Sequence, residues 1–120
     1  MRTMKTKLLI LVALLAQMAL AQKMNPRDMA EFQNKIMLER LDLSESQQEQ
    51  IEAHNALFSE KQAALMNREG SMFSKIGDIK KMKKERNAEL EKILSEEQME
   101  IFEDDVEPEI RRYMRSKMKG

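Results

Sequence analysis

Two near-copies of one pentapeptide decide the fold of this chain: Leu43-Ser44-Glu45-Ser46-Gln47 and Leu94-Ser95-Glu96-Glu97-Gln98. In each copy the serine hydroxyl can accept a hydrogen bond from the backbone N–H three residues later, while the glutamine side chain reaches back to the serine N–H. This pattern is a capping box, and it predicts the start of a helix. The leucine before each serine can pack onto the new helix, more strongly at the second copy, where the apolar partner is Met99, than at the first, where it is Gln48.

The composition and the first helix signals predict an all-α chain of about four helices. Glycine and proline are few, 3 and 2 of 120 residues, and helix-forming residues are abundant. Asn25 is a good N-cap and Pro26 suits the first helical position, so the first helix is expected to begin there. The second helix is expected to run from its cap Ser44 to about Glu69, with Gly70 just beyond its end.

The fourth helix is expected to begin at Ser95 and to be interrupted before its end. Pro108 disfavours helical backbone at the residue before it, which predicts a kink or a break at Glu107. Beyond that point we expect a frayed basic tail from about Arg111 onward. Residues 22–120 are thus predicted to form a single all-α domain.

The first 21 residues have the features of a secretory signal peptide. Basic residues at positions 2, 5 and 7 precede an apolar run of 13 residues, 8–20, that is broken only by Gln17. Small residues at Ala19 and Ala21 then supply a cleavage site. A run of 13 residues is too short to span a bilayer, which needs about 20. We therefore expect cleavage after Ala21 and export of residues 22–120 to the periplasm.

Charge and residue types exclude several functions. Residues 22–120 carry 18 Lys and Arg against 21 Asp and Glu, a formal net charge of −3, whereas a nucleic-acid binder needs a basic excess. The sequence contains neither a glycine-rich phosphate loop nor a G-x-S-x-G motif, so neither an enzyme nor a bound cofactor is expected. Without any cysteine, disulfides cannot reinforce the small core, and long helices, a metal or oligomerisation must stabilise it instead.

No metal site is predicted. His54 is the only histidine and a weak candidate, because a zinc site would also need carboxylates and the His54 of a second subunit. The acidic run 103–105 lacks the glycine and the spaced ligands of a calcium loop. The nine methionines of residues 22–120 are open to three interpretations: core filling, an adaptable binding surface, or copper(I) binding, although no tight methionine cluster is present.

The third helix, expected over 71–93 or from Asp78 if Gly77 delays its start, carries basic residues inside its apolar stripe. The face that runs through positions 72, 76, 79, 83, 86, 90 and 93 is apolar except at Lys83 and Arg86. Either the basic stems follow apolar surface to reach water, or this face is an open binding surface. The second interpretation assigns client binding to Met72, Ile76, Ile79, Lys80, Lys83, Lys84 and Arg86.

The two Leu-Ser-x-x-Gln motifs, the signal peptide and the cysteine-free, methionine-rich helical chain resemble the Spy/CpxP family of periplasmic proteins, also called the LTxxQ-motif family. The resemblance covers the chain from about Pro26 to the tail, although both motifs have serine where the family has threonine. It implies a thin, curved helical hairpin that pairs into a cradle-shaped antiparallel homodimer. Family members include ATP-independent chaperones of the envelope stress response, inhibitors of an envelope-stress sensor kinase and metal-responsive relatives.

The resemblance and the basic-interrupted stripe together predict a periplasmic holdase that binds unfolded or misfolded envelope proteins on an amphipathic concave surface. The first alternative is an accessory regulator that docks on an envelope-stress sensor or on an anti-sigma factor. The second is a heavy-metal sensor, for which the expected His-rich or Cys-containing segments are missing. A core too small for a self-sufficient monomer also favours the homodimer.

Overall fold

Side-chain caps set the helix starts in residues 24–119, the part of the chain that the computed structural model describes. Asn25 caps the first helix by accepting from the backbone N–H of Arg27 at 2.9 Å. Serines at 44, 71 and 95 each accept from the N–H three residues later. The helices are α1 (Pro26–Arg40), α2 (Glu45–Asn67), α3 (Met72–Ile93), α4 (Glu96–Ile101), a π-helix (Phe102–Val106) and α5 (Glu107–Lys119).

The described residues confirm the all-α prediction, and they form a thin layer of 66 × 35 × 20 Å. Both capping boxes are present, with Ser44 paired to Gln47 and Ser95 paired to Gln98. None of the helices between residues 24 and 119 is both long and apolar enough to cross a membrane. The signal-peptide prediction for residues 1–21 lies outside the described part of the chain.

The loop between α2 and α3 differs slightly from its prediction. Helix α2 ends at Asn67, two residues before the predicted end, and Gly70 takes a φ of +113° in the loop that follows. Helix α3 begins at Met72, so Gly77 lies inside it and the alternative start at Asp78 is wrong. The Lys75 ammonium donates to the Met66 carbonyl at 3.0 Å, which neutralises part of the negative end of α2.

The chain stays helical across Pro108, so of the predicted kink or break at Glu107 the break is wrong. Proline has no N–H and its ring crowds the carbonyl four residues earlier, which a regular α-helix does not tolerate well. Here the π-helix before it supplies a wider turn, in which the Glu107 N–H reaches back to the Phe102 carbonyl. Helix α5 continues past Arg111 to Lys119, and the Tyr113 ring stacks on Phe32 of α1 with 4.1 Å between the ring centroids. The predicted fraying of this segment stays a prediction.

The main core lies where α1, α2 and α3 meet the segment from α4 to α5. Burial of each large side chain here contributes roughly 1.5–3 kcal/mol relative to exposure. Leu94 and Met99 are both buried in it, as the packing of the leucine onto the fourth helix requires. The other buried apolar residues of this cluster are Ile36, Met37, Leu41, Ile51, Leu90, Phe102, Val106 and Ile110.

Candidate functional site

A groove of about 510 Å³ between α2, α3 and α5 is the candidate functional site. Its volume lies within the range of pockets that bind small molecules. All three helices contribute to the lining, which consists of Phe58, Gln62, Met66, Met72, Ile79, Met82, Lys83, Pro108, Arg111, Arg112, Met114 and Arg115.

Helical spacing explains why the floor of the groove is apolar. On α2 the groove residues recur every four positions. On α3, Ile79 follows Met72 by seven positions, and the next two lining residues follow Ile79 by three and four positions, so each set lies on one side of its helix. Four of the lining side chains are methionines, which are unbranched and polarisable and so adapt to partners of different shape. They are Met66, Met72, Met82 and Met114.

The rim of the groove is basic. Lys83 contributes from α3, and Arg111, Arg112 and Arg115 contribute from neighbouring positions on α5. None of the lining residues is Asp or Glu, although Arg112 lies 4.0 Å from the Glu109 carboxylate just outside. The groove therefore carries a local positive charge in a chain whose basic and acidic residues are balanced overall, and such a charge attracts carboxylates.

A chain of buried amides fixes the wall of the groove. Gln33 of α1 donates to the side-chain oxygen of Gln62 on α2 at 3.0 Å, and Gln62 donates in turn to the Met114 sulfur on α5 at 2.9 Å. Both glutamines are buried, so water does not compete for these bonds. The wall is thus held in place by groups from three helices.

The structure brings three of the predicted client-binding residues into the groove and separates the others from it. Met72, Ile79 and Lys83 line the groove. Ile76, Lys80 and Lys84 are exposed on α3 but do not line it. Sequence reasoning missed the arginines of α5 and three of the methionines. The arginines and Met114 could have been found from the run Arg111-Arg112-Tyr113-Met114-Arg115, in which positions 111, 114 and 115 share one side if α5 is helical.

Arg86 lies outside the groove and is buried, so the structure separates it from the exposed basic residues with which it was predicted to act. Its side chain is only 6% exposed and lies with its guanidinium carbon 4.9 Å from the Phe102 ring centroid. One guanidinium nitrogen donates to the Glu107 carboxylate at 2.5 Å and to Asn87 at 2.9 Å. Burial lowers the pKa of Arg86, and the charge of Glu107 opposes that shift. The pair joins α3 to the start of α5, and it is structural.

His54 lies on α2 at a second cavity of about 400 Å³. Its ring stacks on the Phe58 ring with 5.7 Å between the two ring centroids. Its Nε2 atom is buried and has no hydrogen-bond partner among the described residues. Burial lowers the pKa of His54, opposed by the charge of Glu89 and reinforced by Arg86 and Lys61. Within residues 24–119 no group of three or more metal-binding side chains is placed to hold an ion.

The six motif residues lie at the two joints of the fold, away from the groove lining. One set stands between α1 and α2 and the other between α3 and α4, and their side chains act on the backbone and on each other. They are Leu43, Ser44, Gln47, Leu94, Ser95 and Gln98. Their role is to set the helix starts.

Comparisons with known proteins identify no family for this chain. A comparison with protein families, a search of characterised proteins and a search of solved structures each gave no match. The resemblance to the Spy/CpxP family therefore stays a prediction based on the two motifs and the composition. The case for a function rests on the geometry and charge of the groove.

Proposed function

We propose that the chain is an ATP-independent holdase that keeps unfolded polypeptide from aggregating. The observation that best supports this is the groove itself, in which a floor of four methionines lies beside a rim of four cations. Unfolded segments expose apolar and charged side chains together. A flexible apolar floor accepts many such sequences without selecting one.

The size of the groove suits a short extended segment. Its α3 wall runs from Met72 to Lys83, eleven residues apart, which corresponds to about 16 Å at the helical rise. An extended chain covers that length with about five residues. Binding of so few residues is weak for each encounter, so a client can leave without an energy source.

The basic rim determines which segments bind first. Four cations with no carboxylate among the lining residues steer acidic groups toward the groove and speed their encounter. The preferred segments are therefore those in which Asp or Glu stand next to apolar residues. Because the rim is open to solvent, salt weakens this attraction.

The proposal also covers location and assembly. The signal-peptide prediction places the protein in the periplasm, where its clients would be unfolded or misfolded envelope proteins. A homodimer is favoured by large apolar side chains left on the surface, above all Phe73, which is 85% exposed, together with Leu57 and Ile76.

An aggregation assay tests the proposal. The exported form, residues 22–120, is mixed at an equimolar ratio with a reduced or denatured client, and light scattering is followed. We expect suppression by the natural sequence and weaker suppression by the Lys83→Glu/Arg115→Glu double variant. The matched control is Lys80→Glu/Lys84→Glu, which reverses two exposed charges of α3 outside the groove.

Two results would count against the holdase. The first is no suppression by the natural sequence. The second is an equal loss of activity in both double variants, which would show that only total charge matters. Capture of one stoichiometric membrane partner, without any holdase activity, would instead favour the regulator that docks on an envelope-stress sensor.

A further inference from the structure

The methionines whose burial the structure describes fall into two sets. One set is buried: Met24, Met29, Met37 and Met99 are at most 7% exposed, and Met66 is 8% exposed although it lines the groove. The other set lies in the groove, where Met72 is 44% exposed and Met82 and Met114 are half-buried. An oxidant in solution therefore reaches the second set directly and the first set only after the core opens.

We infer that Met72, Met82 and Met114 form a site of reversible oxidation that controls binding in the groove. The control of client binding rests on the proposed function, whereas the oxidation site rests on sulfur placement alone. The chain contains neither cysteine nor tryptophan, so no thiol or indole competes for the oxidant. The reactant is a two-electron oxidant of the peroxide class.

The step balances with hydrogen peroxide. The thioether sulfur supplies an electron pair to one peroxide oxygen, an S–O bond forms and the O–O bond breaks. That oxygen stays on the sulfur as the sulfoxide, and the other oxygen leaves as water after a proton moves to it. The sulfur is oxidised by two electrons and the peroxide is reduced by two, and methionine sulfoxide reductases reverse the change.

Oxidation of the three methionines makes the groove floor more polar. A sulfoxide oxygen is a much stronger hydrogen-bond acceptor than a thioether sulfur, and the side chain then favours water over an apolar client. At Met114 a donor is already in place, because the Gln62 amide nitrogen lies 2.9 Å from the sulfur. Gln62 is itself fixed by Gln33 at 3.0 Å. The rim cations are unchanged, so the groove keeps its charge and loses the apolar contacts of three of its four methionines, while Phe58, Met66 and Ile79 stay apolar.

Peptide mapping by mass spectrometry tests the site. The purified protein is exposed to hydrogen peroxide and the sulfoxide at each methionine is measured over time. We expect Met72, Met82 and Met114 to be oxidised roughly tenfold or more faster than the core methionines, because reaction in the core waits for local opening. Equal rates in the two sets, or faster oxidation of the core, would overturn the proposal.

An activity measurement tests the control of binding. We expect the suppression of aggregation to fall as the three groove sulfoxides accumulate and to return after treatment with sulfoxide reductases. The Met72→Leu/Met82→Leu/Met114→Leu variant has no sulfur to oxidise at these positions, so its suppression of aggregation, whatever its level before treatment, should change much less on exposure to peroxide than that of the natural sequence. The single variant Met72→Leu, at the most exposed position, should show partial resistance.

The two failures can be told apart. If the unoxidised protein does not suppress aggregation, the holdase proposal fails, while the mapped oxidation rates still decide the oxidation site. If the protein suppresses aggregation equally well after the three groove methionines are oxidised, the control of binding is refuted. An equal loss of activity in the folded triple variant on peroxide treatment would refute it as well.

Discussion

The side-chain amides of Gln47 and Gln98 hydrogen-bond to each other in both directions. Gln47 Nε2 donates to Gln98 Oε1 at 2.8 Å, and Gln98 Nε2 donates to Gln47 Oε1 at 3.1 Å. Each amide also reaches the opposite joint, where Gln47 donates to the Ile93 carbonyl and Gln98 to the Leu41 carbonyl, both at 3.0 Å. The two capping boxes are therefore one interlocked unit that joins the starts of α2 and α4.

This unit makes the effects of the two glutamines non-additive. We expect Gln47→Ala and Gln98→Ala each to lower the free energy of unfolding by about 1–3 kcal/mol, because each removes a cap and leaves partly buried polar groups without partners. The double variant should lose less than the sum, by about 0.5–3 kcal/mol, since the two side chains are partners. Urea unfolding of the four proteins measures this coupling.

The control for the comparison of single and double variants is Gln50→Ala, which changes an exposed glutamine of α2 outside the interlocked unit. An exposed substitution of this kind should alter the free energy of unfolding by no more than about 0.5 kcal/mol. Strict additivity of the Gln47 and Gln98 effects would contradict the interlocked arrangement.

The buried pair of Arg86 and Glu107 gives a second prediction. Arg86→Met should lower the free energy of unfolding by about 3–5 kcal/mol, because it leaves the Glu107 carboxylate largely buried without its partner. The double variant Arg86→Met/Glu107→Leu should recover most of that loss, since replacing both charges removes the uncompensated one. Denaturant unfolding measures both. A loss below about 1 kcal/mol for the single variant would mean that the pair is not a structural link.

Replacing Gly70 or Gly77 by alanine should change the free energy of unfolding in opposite directions. Gly70 has a φ of +113°, and a Cβ there would lie 3.0 Å from the Ser74 hydroxyl, so Gly70→Ala should destabilise the fold by at least about 1 kcal/mol. Gly77 lies inside α3, and a Cβ there would meet nothing within 4 Å. Gly77→Ala should therefore stabilise by about 0.5–1 kcal/mol. Thermal unfolding of the two variants measures these changes. A shift of the midpoint temperature in the same direction for both would be evidence against the loop and helix boundaries.

The lowered pKa of His54 should make the stability of the fold depend on pH. Burial lowers its folded-state pKa below the ordinary 6.5, although Glu89 opposes the shift. Between the two pKa values the unfolded chain binds the proton and the folded chain does not, so stability falls as the pH falls below about 6.5 and returns as it rises. The difference between His54→Gln and the natural sequence isolates this effect.

The measurement is urea unfolding at pH 7.5 and pH 5.5 for both proteins. The natural sequence should lose more stability than His54→Gln over this interval, which ends above the range where most carboxylates titrate. Identical losses would show that the His54 imidazole is not held in a buried, neutral state.

The helix starts could be predicted from sequence because a cap depends on residues within four positions. Ser44 and Ser95 bond only to groups of their own first turn, so the pattern that encodes them is local. The pairing of Gln47 with Gln98 could not be predicted in this way. The two residues are 51 positions apart, and only the fold shows that their joints meet.

The groove was predicted only on its α3 side. Periodicity showed which residues share a face of that helix, but not which helices cover that face, so Arg86 was placed on an open surface although it pairs with Glu107 of the last segment. The α5 side could not be predicted because the local effect of Pro108 leaves open whether the helix kinks or breaks at Glu107. The π-helix before it and the stacking of Tyr113 on Phe32 outweigh that effect.

Site-specific photo-crosslinking tests most directly whether the groove is where clients bind. A photoreactive amino acid is placed at Ile79 in the groove or at Leu38, an exposed apolar residue of α1 that does not line it. Each protein is then illuminated with a denatured client. We expect strong crosslinks from position 79 that weaken with salt, and few from position 38. Equal crosslinking at both positions, or none at 79 while aggregation is still suppressed, would contradict the groove as the client-binding site.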